Sequence, residues 1–243
     1  MNLSGRVALV TGAGRRVGQA IALALGAKGM KVAVHYHDSA SGAEATVAQL
    51  SSEGATGRAF QADLSAADGP AALIAAVAES FGGMDVVVNS AAIMERTPFG
   101  EVTPDMWDAI MAINLRAPFF VAQAAAPHLR KARGCLVNIA DLAAYESWPA
   151  YIPHGISKAG VVHMTRSLAR VMAPDVRVNG VAPGTVLLPE SWDTAADERL
   201  RQTTPLARTG TPEDVSSAVI FLLESDYITG ETIIVDGGRH IRI

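Results

Sequence analysis

Two stretches of the sequence bring together residues able to do chemistry. In "AYIPHGISKAG", Ala150 to Gly160, His154 stands four residues before Lys158, the separation at which side chains share one face of a helix. An imidazole and an ammonium placed together hold and pass protons, and each shifts the other's readiness to do so. In "TGAGRRVG", Gly12, Gly14 and Gly18 leave the backbone bare where an apolar run gives way to helical periodicity at Val17. Glycines at such a turn let backbone amides and a helix N-terminus close on a pyrophosphate. A tight turn selected for packing carries the same glycines, but the apolar run before it and the helix after it supply the context that a dinucleotide fingerprint requires.

The kind of dinucleotide is read at the end of the second apolar strand, "HYHDS". A carboxylate there would take the ribose 2′-hydroxyl of NAD. Tyr36, His37 and Ser39 surround that point instead, and Arg15 and Arg16 stand in the turn where a 2′-phosphate could meet them. Asp38 argues the other way, although it falls beyond the strand, where it can cap the helix or turn that follows. The balance favours NADP(H).

The elements that must position these residues alternate. "RVALVTGAGRRVGQAIALALGAKGMKVAVHYH" reads as strand, turn, helix from Val17 to about Lys28, and strand. A polar helix near Ala40 to Leu50, strand "GRAFQA", helix "GPAALIAAVAESF" and strand "DVVVNSA" follow. Then come a long helix from about Trp107 to Leu129, strand "GCLVNIA", a helix through "ISKAGVVHMTRSLARVM" and strand "VRVNGVA". Such alternation predicts a single α/β domain over residues 1–243, a doubly wound parallel sheet with helices on both faces. From Ser191 to Gly210 the pattern lapses into polar residues with Pro and Gly, which predicts a substrate lid over about 186–210 or a plain surface loop. "TPEDVSSAVIFLLES" predicts a helix with Thr211 as N-cap and Pro212 at its first position, and "TIIVDGG" a last strand.

Composition narrows the classes. Apolar residues make up 49% and aromatics 5%, so Ala, Val, Leu and Ile must build the core. A net charge of −4 with no run of like charges gives no footprint for nucleic acid or an anionic membrane surface, and neither partner is expected. The single cysteine, Cys135, lies in the apolar run "CLVNIA" and reads as a buried small hydrophobe in a reducing compartment. "MNLSGRVALVTGAG" lacks the long apolar segment of a secretory signal, and a cytoplasmic protein is expected. No His, Cys and carboxylate spacing suggests a metal site, and no Gly-x-Ser-x-Gly elbow suggests a hydrolase.

The glycine turn, "VVNSAA", Asn114 in "AINL", "VNIAD", "SKAG" and "VNGVAPG", in that order over essentially the whole chain, resemble the short-chain dehydrogenase/reductase family. Within it, Arg16 in place of the family's middle glycine, "HYHDS", Asp141 in place of the family's serine, and "DGGRHIR" resemble the pteridine reductase and dihydromonapterin reductase branch. The resemblance implies a Rossmann-type fold, a small-molecule substrate, a homo-oligomer, commonly a tetramer, and hydride passed from a nicotinamide to a carbonyl or imine carbon. It places Asp63 and Leu64 at the adenine and Asn89 and Ala91 at the adenosine ribose. Pro183, Gly184, Thr185 and Val186 fall beside the nicotinamide. It gives Asn114 a water-mediated proton relay, and Lys158 the nicotinamide ribose and the lowering of the proton donor's pKa.

His154 occupies the position of the family's tyrosine, four residues before Lys158, with Asp141 thirteen residues earlier. Tyr151 lies seven residues from Lys158, about 10 Å along a helix, and neither it nor Tyr145 readily takes that place. An Asp–His pair can serve as the acid, though the imidazole stops roughly 2 Å short of a phenol hydroxyl, where about 1 Å of misplacement costs about 100-fold. Met94, Trp148, Leu187 and Trp192 outline an apolar substrate pocket with Asp141 as its polar anchor. Met94 stands where pterin-reducing relatives place an aromatic ring, and a thioether stacks less well than a ring. His35 and His37 either flank the phosphate pocket or end the strand, and His163 lies off the Lys158 face. Two functions remain open: an NADPH-dependent reductase, or a catalytically weak or inactive NADP(H)-binding protein of the same fold.

Overall fold

The computed structural model describes residues 1–186 and 194–241. Seven strands form one sheet: β1 (Val7–Val10), β2 (Lys31–Tyr36), β3 (Gly57–Gln61), β4 (Val86–Asn89), β5 (Cys135–Ile139), β6 (Arg177–Pro183) and β7 (Thr232–Val235). All pairings are parallel, in the order β3-β2-β1-β4-β5-β6-β7. Between them run α1 (Arg16–Ala27), α2 (Ala40–Ser52), α3 (Gly69–Phe81), α4 (Pro104–Met111), α5 (Ala117–Ala132), α6 (Ile152–Met172), α7 (Thr194–Thr203) and α8 (Pro212–Glu224). This is the single α/β domain that the alternation predicts.

The continuous apolar strands are buried on both faces, as a parallel sheet between helical layers requires. Successive side chains alternate between two cores. Ala8 and Val10 of β1, Val86 and Val88 of β4, and Cys135 and Val137 of β5 pack with Ile21, Leu25, Val219 and Leu222 of α1 and α8. Leu9, Val87 and Leu136 face the other way, onto Leu73, Val121 and Leu129 of α3 and α5. Cys135 is fully buried, and burial pushes its thiol up to about 11, so it is the inert hydrophobe expected. The strand order reverses between β1 and β4, and ligands of open α/β sheets bind outside the carboxyl ends of the strands at such a point.

Three differences from the sequence reading bear on function. The long helix expected over Trp107 to Leu129 is interrupted by a π-helical turn, Ala112–Arg116, with Asn114 buried inside it. Pro118 lacks the N–H that an α-helix would donate to the Asn114 carbonyl four residues earlier, which gives the helix a covalent reason to widen there. The combined run Pro104–Ala132 is long and apolar enough, by length and composition alone, to cross a membrane. Here Val121, Ala122, Ala125 and Leu129 from that run join the core beneath the sheet. Second, α6 starts at Ile152 rather than near Ile156, because Pro153 is well tolerated in a first helical turn; His154 thereby becomes helical. Third, α7 stands inside the segment expected to lack structure, with Leu200 and Thr204 buried. Its sequence, "TAADERLRQT", holds Leu200 as its one large apolar residue, too few for an apolar stripe to be read.

Candidate active site

The glycine turn joins β1 to α1. A Cβ on Gly18 would lie 2.2 Å from the Gly12 carbonyl oxygen, and one on Gly12, whose φ is +65°, would lie 2.9 Å from the Ala91 Cα. Gly14 packs against α2, where a Cβ would be 3.1 Å from the Ala43 nitrogen. Only glycine allows the turn to fit so closely among its neighbours. Arg16, at φ +54°, adopts the left-handed backbone that a glycine takes without steric cost. The N-cap residue Arg15 makes no side-chain cap to α1, so its first turn keeps the amide-rich end that attracts an anion.

Two braces hold this turn. The Thr11 hydroxyl accepts from Ser90 N (2.9 Å) and Ala91 N (3.0 Å), anchoring the loop after β4. His35 is buried, its Nδ1 accepting from Gly12 N (3.1 Å) while its Nε2 donates to the Ala62 carbonyl (3.1 Å). Burial drives its pKa down to about 4. His35 is therefore an internal strut rather than a phosphate ligand, while His37 is exposed beside the turn with its Nε2 3.0 Å from Asp38 Oδ1. Tyr36 is half-buried, Ser39 precedes α2, and Arg15 and Arg16 are exposed. Leu64 is buried after β3, next to Asp63, whose carboxylate accepts from Ser65 N and Oγ, bonds that lower its pKa.

The second half of the site is built where β4, β5, α6 and the π turn meet. Asn89 Nδ2 donates to the Pro118 carbonyl (3.2 Å) and to Asn138 Oδ1 (2.9 Å), and Asn138 Nδ2 donates to Thr165 Oγ1 (2.9 Å). Asn114 forms a two-point pair with the Ile93 backbone, Oδ1 accepting from Ile93 N and Nδ2 donating to Ile93 O, both at 2.9 Å. Asn114 Nδ2 also donates to Ser157 Oγ (3.1 Å), which donates to the His154 carbonyl (2.6 Å). His154 is 2% exposed, with Nδ1 3.3 Å from Ile93 O and from Asn114 Nδ2. Its Nε2 lies 3.6 Å from Asp141 Oδ2 and has no hydrogen-bond partner among the described residues. Asp141 is fixed by its other oxygen, which accepts from Ala143 N (2.8 Å). Lys158 is buried and donates to the Ile139 carbonyl (2.8 Å); burial lowers its pKa to about 8, opposed by the Asp141 charge. A small cavity is lined by Asn89, Asn114, Ile139 and Lys158 of this network and by Thr11, the residue before Gly12.

Asn114, Asp141, His154 and Lys158 are thus brought together. Pro183 ends β6; Gly184 N donates to the Val235 carbonyl (2.9 Å), Thr185 Oγ1 accepts from Arg239 (3.3 Å), and Val186 is buried. Met94 is 49% exposed, while Trp148 packs edge-on to Tyr151 and donates to Glu146 (3.0 Å). The loops carrying Met94 and Trp148 are tied by Thr97 N donating to the Ala150 carbonyl (2.7 Å). Leu187 and Trp192 lie outside the described residues, and His163 is exposed. Sequence reasoning missed the Ile93 backbone, Ser157 and Asn138. Serine and asparagine types were visible there, but only the fold turns Ile93 toward α6.

A family model described as "Enoyl-(Acyl carrier protein) reductase" matches residues 12–240. The chain belongs to the short-chain dehydrogenase/reductase family. The 3-oxoacyl-[acyl-carrier-protein] reductase of Synechocystis sp. is 38% identical over 97% of each chain. The 3beta-hydroxysteroid dehydrogenase 1 of Eggerthella lenta is 35% identical over 98% of this chain and 94% of its own. The crystal structure of the angucycline C-6 ketoreductase LanV with bound NADP superposes with a TM-score of 0.92 at 31% identity, covering 99% of this chain and 97% of LanV. The short-chain dehydrogenase/reductases are oxidoreductases that use a nicotinamide cofactor. The residues here fit one: side-chain-free glycines beside an uncapped helix start, and a buried Asn89 Oδ1 with no partner among the described residues.

Proposed function

We propose that the protein is an NADPH-dependent reductase that delivers hydride to a carbonyl or pterin-like imine carbon, with the His154–Asp141 pair as its acid. The nicotinamide, when bound, supplies the hydride. Gly12, Gly14, Val17 and Gly18 hold the pyrophosphate, and Arg15, Arg16 and His37 take a 2′-phosphate, with Tyr36 and Ser39 lining that side. Asp63 and Leu64 border the adenine, Asn89 and Ala91 its ribose, and Pro183, Gly184, Thr185 and Val186 the nicotinamide. Lys158 binds the nicotinamide ribose and places a positive charge beside the reacting centre. Hydride addition leaves an anion on the substrate's oxygen or nitrogen, and a proton must reach it from a group in hydrogen-bond range. His154 Nε2, aimed at Asp141 and otherwise without a partner among the described residues, is the observation that carries this reading.

The named relatives that act on 3-oxoacyl groups and 3β-hydroxysteroids support a carbonyl substrate. The residue types expected at the pocket, apolar Met94 and Trp148 with Asp141 as the polar anchor, support a flat, partly polar heterocycle of the pterin kind; Leu187 and Trp192, expected there too, lie outside the described residues. The lid expected over residues 186–210 remains part of this reading; its residues 187–193 lie outside the described residues. Trp107, Phe119, Phe120 and Ile156, all partly exposed along α4, α5 and α6, support a homo-oligomer, with a tetramer proposed. A cytoplasmic location is part of this reading. The burial of His154 favours a second reading, an attenuated or non-catalytic NADP(H)-binding protein, because the ring stands back from the surface.

NADPH oxidation with 3-oxoacyl thioesters, cyclic ketones, quinones and dihydropterins tests both. Slow turnover is expected, declining as pH rises through about 8, where Lys158 loses its ammonium. His154→Tyr is expected to raise the rate, Asp141→Asn to lower it, and Arg16→Ala to narrow the NADPH-over-NADH gap in a fluorescence titration. Equal turnover by His154→Ala removes histidine as the acid. Inertness of both the native protein and His154→Tyr makes the non-catalytic reading the better one.

A further inference from the structure

The polar atoms on the Nδ1 side of His154 select one tautomer, against the pull of the Asp141 carboxylate on Nε2 from 3.6 Å. Asn114 pairs with both backbone groups of Ile93, its oxygen on the N–H and its nitrogen on the C=O, and this fixes which end of the amide is which. Its nitrogen has two hydrogens. One goes to the Ile93 carbonyl at 2.9 Å and the other to Ser157 Oγ at 3.1 Å; the serine's own hydrogen is spent on the His154 carbonyl. No hydrogen of Asn114 is left for His154 Nδ1, which lies farther off at 3.3 Å. A bare Nδ1 lone pair would then face the Ile93 carbonyl oxygen, also at 3.3 Å, with nothing between two acceptors. A hydrogen on Nδ1 removes that conflict, because a carbonyl oxygen accepts two donors.

We infer that Asn114 is a positioning residue that, through Ile93 and Ser157, holds His154 in the Nδ1–H form, so that the ring exchanges protons only at Nε2, on the side of Asp141. This rests on the proposed reductase chemistry for its use, but not for its geometry. In the proton step the Nε2–H bond of the imidazolium breaks as an O–H or N–H bond forms on the reduced substrate. The ring is left neutral with Nδ1–H intact, and a proton from solvent restores Nε2–H. With Nδ1 held by a buried carbonyl, the proton has one exit. The same neutral ring points a lone pair toward the Asp141 carboxylate at 3.6 Å, so this form is relieved by a donor that reaches both acceptors.

Nitrogen-15 NMR of the full chain labelled at histidine tests the assignment, with the His154 signals identified by their loss in His154→Gln. At a pH where the ring is neutral, a proton-coupled Nδ1 and an uncoupled Nε2 are expected. Ser157→Ala frees one Asn114 hydrogen for Nδ1 and is expected to shift signal toward the Nε2–H form, an effect that a purely structural role for Ser157 would not produce. A native spectrum showing Nε2–H overturns the inference even if the protein turns over NADPH. An Nδ1–H spectrum unmoved by Ser157→Ala overturns the part given to Asn114. An Nδ1–H spectrum in a protein inert to every substrate upholds the tautomer and removes the reductase reading alone.

Discussion

Lys158 shows how one residue trades stability for chemistry. Its ammonium is buried, and its pKa falls from the ordinary 10.5 to about 8. A base whose folded-state pKa lies below the unfolded value destabilises the fold while charged, so stability should rise as pH climbs from about 8 to about 10.5. The shift corresponds to about 3 kcal/mol, partly offset in any variant that orphans the Ile139 carbonyl at about 1–2 kcal/mol. Lys158→Met is therefore expected to abolish turnover yet raise neutral-pH stability by roughly 1–2 kcal/mol in urea titrations. A less stable variant would show that the lysine is held for the fold rather than for the site.

At the scale of elements, the π turn is what brings Asn114 to Ile93. Pro118→Ala restores an N–H that can bond the Asn114 carbonyl and is expected to tighten the turn into α-helix. Turnover should fall several-fold while the melting temperature holds or rises; unchanged activity would separate the turn from the site. The sequence shows a helix here and even the proline, which falls eleven residues inside the expected run from Trp107; its missing N–H forecasts a break there but not that the break takes the form of a π turn. The same ambiguity hid the start of α6, where Pro153 reads as a boundary and proves to be part of the first turn. The parallel strands were legible because burial on both faces demands apolar runs, and α8 because Thr211 and Pro212 mark its N-terminus, where the structure adds a capping box through Asp214. The segment holding α7 was not, since a helix with few buried residues leaves little pattern. In the site, the type and spacing of His154 and Lys158 were readable, and Asp141 through family likeness. The partners contributed by the Ile93 backbone were not, because main-chain contacts leave no mark on residue identity.

Across the whole molecule, the two ends of the dinucleotide cradle share a support. The neutral ring of His35 joins Gly12, in the turn proposed for the pyrophosphate, to Ala62, next to Asp63 on the side proposed for the adenine. Its pKa of about 4 lies below the ordinary value of about 6.5, so its contribution is complete above about pH 6.5 and is lost as pH falls toward 4. That loss amounts to about 3 kcal/mol. Denaturant titrations at pH 7 and pH 4.5 should show it, and His35→Gln should flatten the difference; an equal acid loss in the variant would place the sensitivity elsewhere. The strut also makes protons and cofactor thermodynamic rivals. A nucleotide that needs the braced turn binds the form with unprotonated His35, and linkage makes the effect reciprocal. With NADPH as the proposed cofactor, saturating NADPH should therefore push acid unfolding to lower pH, while mild acidification loosens the nucleotide before the fold gives way, so that in acid the protein sheds its nucleotide first and its structure second.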